Sequence, residues 1–214
     1  ACDPRQAAQD AYDVAGLIHY NYALDAAACV ATAVAEAFSP EATIESVIEA
    51  AVMYLDKESE LIPYIERAMA LARETGNYED FRERFYEELL LSWPQAGVGS
   101  SVEEGPSEGF YDTAEPRETV PTALALFYLA EGKWKQSVVY AANFGRDSDT
   151  IGSIVGAIAG AYEGVDAITA DWLNLVSRVN SVDQEELAHR MFQAVINNVA
   201  RIEEHLALLK RLMV

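Results

Sequence analysis

Gly152, Gly156, Gly160 and Gly164 stand four residues apart, with Ile151, Ile154, Val155, Ile158 and Ala159 between them. A four-residue period places these glycines on one side of a helix. Glycine inside a helix costs about 1 kcal/mol relative to alanine. A row of them therefore predicts that another backbone approaches that side very closely. Membrane seams use the same device, but this apolar stretch is too short to span a bilayer, and polar residues flank it. The expectation is a buried central helix whose amino end faces a cleft.

The rest of the chain also reads as helix. Alanine is abundant, and β-branched residues rarely alternate with polar ones. Asp3-Pro4 and Ser39-Pro40-Glu41 are start signals, because Asp or Ser caps and Pro sacrifices no needed N–H. The first helix is expected to run to about residue 17, followed by 23–38, 39–55, 59–75 and 78–93. Gly76-Asn77 and Pro94 are the stop signals. Further helices are expected over 119–130, 133–143, 150–162, 168–179 and 183–214. Met191, Val195, Val199, Ile202, Leu206, Leu209 and Met213 would give the last one a core-facing side. No fixed repeat and no domain boundary is visible. The fold class is therefore all-α, a single compact multi-helix domain over residues 1–214.

Residues 94–118 lack sustained periodicity. They contain Gly97, Gly99, Gly105 and Gly109, with Ser100, Phe110 and Tyr111. A structureless loop this long is either functional or a surface insertion. The paired aromatics at Phe110-Tyr111 favour function.

Asp and Glu outnumber Lys and Arg 35 to 15, a formal charge of −20. That balance argues against a nucleic-acid binder, which needs a basic face, and against docking on anionic lipid. Solvated acidic helix faces account for most of it. Cys2 and Cys29 do not make a disulfide framework or a thiolate metal site. A reducing cytoplasm is the expected compartment, with no membrane span and no signal peptide. Cys29 has no catalytic partner in sequence, and no Gly-x-Ser-x-Gly elbow occurs.

Gly145-Arg146-Asp147-Ser148-Asp149-Thr150 precedes the glycine row. Two carboxylates and a hydroxyl at a helix start can converge on a hard divalent cation. They can equally serve as helix caps. An EF-hand beginning at Asp147 fails, because its twelfth position is Ile158 and not Glu. The P-loop pattern is absent.

The run from Gly145 to Ala161 resembles the C-terminal signature of the ADP-ribosylglycohydrolases, Gly-Gly-Asp-x-Asp-Thr followed by a helix of small residues. Glu118-Thr119-Val120-Pro121-Thr122-Ala123 upstream, and Gly16-Leu17-Ile18-His19-Tyr20-Asn21 before an Ala-rich helix, fit the same family. The resemblance implies an all-α fold with two Mg²⁺ or Mn²⁺ ions. It implies that Asp147, Asp149 and Thr150 are metal ligands, with Asp147 and Asp149 serving catalysis. It implies that His19 lies near bound ADP-ribose, and that Gly97, Gly99, Ser100, Phe110 and Tyr111 lie beside the substrate. Arg146 stands where the common form has its second Gly. It is either subfamily variation or a cation brought near a phosphate. Asp25 is either an orienter of His19 or a helix cap, and His189 and His205 read as structural.

The family's remaining ligands and its acidic catalytic residue come from an N-terminal segment with an Asp-Asp-Thr motif, which this sequence lacks. The expectation is the C-terminal portion of such an enzyme, in keeping with its start at Ala1-Cys2-Asp3-Pro4. A companion chain would carry the N-terminal segment. The implied activity is metal-dependent hydrolysis of the glycosidic bond of an ADP-ribosyl or related ribosyl substrate. The alternative is a non-catalytic helical binding or structural protein on the same fold.

Overall fold

The computed structural model describes residues 2–89 and 115–212. Its described residues form ten α-helices and no strand. They fall into two compact units, 2–167 and 168–214.

The first unit opens with α1 (Pro4–Ala15) and α2 (Tyr22–Ala37). Asp3 caps α1 by accepting from the Gln6 N–H at 3.1 Å. The Ala-rich α2 buries Ala26, Ala28, Cys29, Thr32, Ala33, Ala35 and Ala37. Such small side chains let neighbouring helices approach closely. α3 (Ile44–Met53) starts later than Ser39-Pro40 suggested. Thr43 and Ser46 form a reciprocal capping box, and two satisfied amide donors outweigh the proline signal. α4 (Ile62–Thr75) ends at Gly76, whose φ of +64° is the left-handed cap. α5 (Tyr78–Arg84) is capped by Asn77 and continues as one π-helical turn over Phe85–Leu89.

α6 (Pro116–Leu129) begins three residues before the expected start, with Glu115 capping and Pro116 in its first turn. It is the central helix: every residue from Arg117 to Phe127 is buried. It packs against α2, α4, α7 and α8. α7 (Trp134–Phe144) and α8 (Ser148–Glu163) follow as a packed pair.

That arrangement corrects the expectation for the glycine row. α8 buries Ile151, Val155, Ile158 and Ala159 on one side, but Asp149, Ser153 and Ala157 form an exposed stripe on another. Its glycines meet side chains of α7, not a backbone. A Cβ on Gly152, Gly156 or Gly160 would sit 3.9 Å from Ala141 Cβ, 3.6 Å from Val138 Cγ2 and 3.5 Å from Trp134 Cδ1. Each of those distances is ordinary van der Waals contact, so the seam would accept a Cβ at all three positions. Gly164 ends the helix at φ +82°.

The core closes around Phe81, Phe85, Phe127 and Phe144, all fully buried. Phe85 and Phe144 meet edge to face, 5.1 Å between centroids. A short 3₁₀ turn (Val165–Ala167) ends this unit. In the second unit, α9 (Ala170–Val179) and α10 (Gln184–Leu212) bury none of their residues. The side expected to face a core in the last helix is exposed: Met191, Val195, Val199, Ile202, Leu206 and Leu209 are none of them buried. Among the described residues no helix is long and apolar enough to cross a membrane.

Candidate functional site

The turn between α7 and α8 is built from both sides. Phe144, the last residue of α7, is anchored by the rings of Phe81, Phe85 and Tyr86. The final carbonyls of α7 lack helical partners. Arg82 supplies them, its Nε donating to the oxygens of Asn143 (3.1 Å) and Phe144 (2.9 Å). The Tyr86 hydroxyl also donates to Phe144 O, at 2.9 Å. The next residue must be glycine on two counts. Its φ is +98°, and a Cβ there would lie 2.8 Å from Tyr86 Oη.

Arg146 has φ +53°, left-handed backbone that a long side chain rarely adopts. Its guanidinium holds Glu118 in a two-pronged ion pair, Nε to Oε1 at 2.6 Å and Nη2 to Oε2 at 2.9 Å. Both side chains are nearly buried, 11% and 3% exposed. Glu118 lies in the first turn of α6, where the helix dipole favours a carboxylate. Arg146 thus ties the turn before α8 to the first turn of α6. Breaking such a buried pair by removing one partner costs about 3–5 kcal/mol.

Asp147 occupies the N-cap position of α8, yet its side chain makes no capping bond. Its Oδ2 is buried and has no hydrogen-bond partner among the described residues. Buried carboxylate oxygens are normally satisfied, and capping fails to satisfy this one. The amino end of a helix is favourable for negative charge but supplies no counter-ion. Asp149 is exposed one residue into the helix, and its carbonyl accepts from Ser153 Oγ at 2.8 Å. Asp147, Asp149 and Thr150 therefore share one helical turn. A hard cation would suit this set of two carboxylates and a hydroxyl, and the unpaired Oδ2 is the atom it would satisfy. The fit is partial. Among the described residues no three His, Cys, Asp or Glu converge as a metal cluster.

The other expected site residues stand apart. His19 is exposed in the turn after α1, and among the described residues no side-chain contact joins it to Asp147. Gly97, Gly99, Ser100, Phe110 and Tyr111 lie outside the described residues. Asp25 neither caps α2 nor orients His19. Its carboxylate accepts from the hydroxyls of Tyr12 and Ser59, both at 2.6 Å, tying α1, α2 and the turn before α4 together. Burial pushes the Cys29 thiol far up, and the Asp25 charge adds to it, so Cys29 is no nucleophile.

Sequence reasoning passed over Arg82, Tyr86 and the Glu118–Arg146 pair. The one signal for the pair was opposite charges at the openings of two otherwise apolar segments. Arg82, Tyr86 and Asn143 also line an open cleft of about 680 Å³, together with Tyr78 and Glu83. Neither aspartate lines it.

Residues 1–200 match the family model described as ADP-ribosylglycohydrolase. The uncharacterized protein YegU of Escherichia coli is 31% identical over 119 residues, which cover 56% of this chain and 29% of that protein. The human protein named ADP-ribosylhydrolase ARH3 is 32% identical over 87 residues, 36% of this chain and 24% of its own length. Its Danio rerio counterpart is 33% identical over 85 residues, 35% of this chain and 22% of its own. The chain thus matches less than a third of the length of these curated relatives. No solved structure matches.

Proposed function

The chain belongs to the ADP-ribosylglycohydrolase family, and from that membership we propose that it serves hydrolysis of the glycosidic bond of an ADP-ribosyl or related ribosyl substrate with a divalent cation, Mg²⁺ or Mn²⁺. The observation that carries this reading is the buried Oδ2 of Asp147 at the start of α8, unpartnered among the described residues.

Asp147, Asp149 and Thr150 would hold the cation. When bound, it supplies a Lewis acid that polarises ribose hydroxyls and activates a water. The chain's own residues supply placement. Arg82 and Tyr86 fix the end of α7, Gly145 permits the reversal, and the Glu118–Arg146 pair fixes the next backbone unit. The amino end of α8 favours the two carboxylates but repels a cation, so their own negative charge must outweigh the helix dipole. His19 and the residues around 97–111 are proposed to contact the ADP-ribose.

Residues 1–214 contain no Asp-Asp-Thr triplet. We therefore propose that a companion segment bearing one supplies the remaining ligands and the carboxylate acting as acid or base. The two free cysteines suit a reducing cytoplasm.

A second reading has one observation in its favour: the described residues hold no complete metal cluster. On that reading the chain is a non-catalytic helical binding protein. The test is release of ADP-ribose from ADP-ribosyl-arginine with Mn²⁺, for the chain alone and with a segment carrying Asp-Asp-Thr. Turnover only with both is expected. No turnover in either case would favour the non-catalytic reading.

A further inference from the structure

We propose that Glu118 and Arg146 are positioning residues: Glu118, acting through Arg146, sets the orientation of the Asp147 carboxylate and so the affinity of the turn for a divalent cation. The inference rests on the metal reading of Asp147 and Asp149.

Three observations lead to it. The first is that the pair reaches across two helices, from the first turn of α6 to the residue before Asp147. The second is the backbone. Arg146 sits at φ +53°, a costly backbone conformation, and its guanidinium is held from α6 by Glu118. A two-pronged bond to a carboxylate fixes both position and plane of the guanidinium, which a lysine would not do. The third is the state of the neighbour. Asp147 is denied the usual capping bond and keeps Oδ2 buried and, among the described residues, unpaired. A carboxylate left free would rotate to an amide donor or to water. Here the preceding backbone unit is pinned by the ion pair on one side and by the Arg82–Tyr86 clamp on the other. Residues that orient a ligand without touching the metal commonly change metal affinity by roughly 10- to 100-fold when replaced.

Structural support and positioning make different predictions once stability is restored by another route. Glu118→Gln and Arg146→Gln each break the charge pair. Glu118→Met with Arg146→Met replaces both partners by apolar groups of similar length, a change that often preserves stability. Mn²⁺ affinity, read by electron paramagnetic resonance of the free ion, is measured beside thermal melting without metal.

A roughly 10-fold or greater loss of Mn²⁺ affinity is expected in both Gln variants. The same loss is expected in the double Met variant even though its melting recovers. Arg146→Lys should recover melting more than affinity. If Mn²⁺ affinity recovers with melting in the double Met variant, the pair is only structural and the proposal is overturned. Unchanged affinity in well-folded Glu118→Gln, with the wild type binding Mn²⁺, overturns it alone. A wild type that binds no Mn²⁺ even with a segment carrying Asp-Asp-Thr present, or that then binds no better than an Asp147→Ala plus Asp149→Ala chain, overturns the metal reading with it.

Discussion

Gly145 is constrained twice over, by its backbone at φ +98° and by Tyr86 Oη, which would lie 2.8 Å from a Cβ. Gly145→Ala should therefore destabilise by about 1–3 kcal/mol, measured by urea unfolding. Tyr86→Phe removes the close oxygen together with its bond to Phe144 O. It should cost about 0.5–1.5 kcal/mol alone. Combined with Gly145→Ala it should cost less than the sum, because the clash is gone. Strict additivity of the two would show that the contact is not what excludes alanine. At Tyr12, burial first, then the hydrogen bond and charge of Asp25, push the phenol far above its ordinary value of 10.0. The folded chain holds this proton more tightly than the unfolded chain. The contribution is therefore full below about pH 10 and falls as pH rises beyond it. Stability of Tyr12→Phe should decline less steeply than wild type from about pH 10 upward. Parallel pH profiles for the two proteins would remove Tyr12 from the explanation.

At the scale of elements, α8 tests how its glycines are used. A Cβ on Gly156 would meet only Val138 Cγ2, at an ordinary 3.6 Å. Gly156→Ala should thus fold and gain up to about 1 kcal/mol from helix propensity. Gly156→Leu should lose about 1–3 kcal/mol by overpacking against α7. Thermal melting of the two variants separates this geometry from one in which a backbone fills the seam, because there alanine would already be disruptive. The junction of α5 with its π-helical turn is a second feature of this scale. The widened turn over Phe85–Leu89 accompanies the placement of Phe85 in the core and of Tyr86 beside Gly145.

At the scale of the molecule, every buried core residue among the described residues lies between Ala8 and Ala159, while α9 and α10 bury nothing. A chain ending at Ala167 should keep cooperative melting, within a few degrees of the full protein, by near-ultraviolet circular dichroism. Loss of the cooperative transition would show that residues 168–214 complete the core. The formal charge of −20 predicts a salt effect as well. Self-repulsion weakens as the screening length shortens. The melting temperature should rise between about 10 mM and about 150 mM sodium chloride, where the Debye length falls from about 30 to about 8 Å. A flat response would mean that local pairs such as Arg84 with Glu74 and Glu88 already offset the repulsion.

The sequence by itself determined the helical class, most helix positions and the family. These are local properties: Asp3-Pro4, Gly76-Asn77 and the acidic turn act within one or two helical turns, and their spacing is written in the chain. It also placed Asp147, Asp149 and Thr150 together, since three residues at a helix start cannot be far apart. Tertiary structure alone decided that α6, not α8, is the central helix. Burial depends on what packs on every side, and α6 has partners all round whereas α8 keeps one stripe in water. It alone showed that Arg146 meets Glu118, a pairing across 28 positions, and that Asp25 joins Tyr12 to Ser59. Such contacts carry no sequence period. Long-range ion pairs and hydrogen bonds are selected by the meeting of helices in space, and only that meeting leaves the Asp147 Oδ2 buried without a hydrogen-bond partner among the described residues.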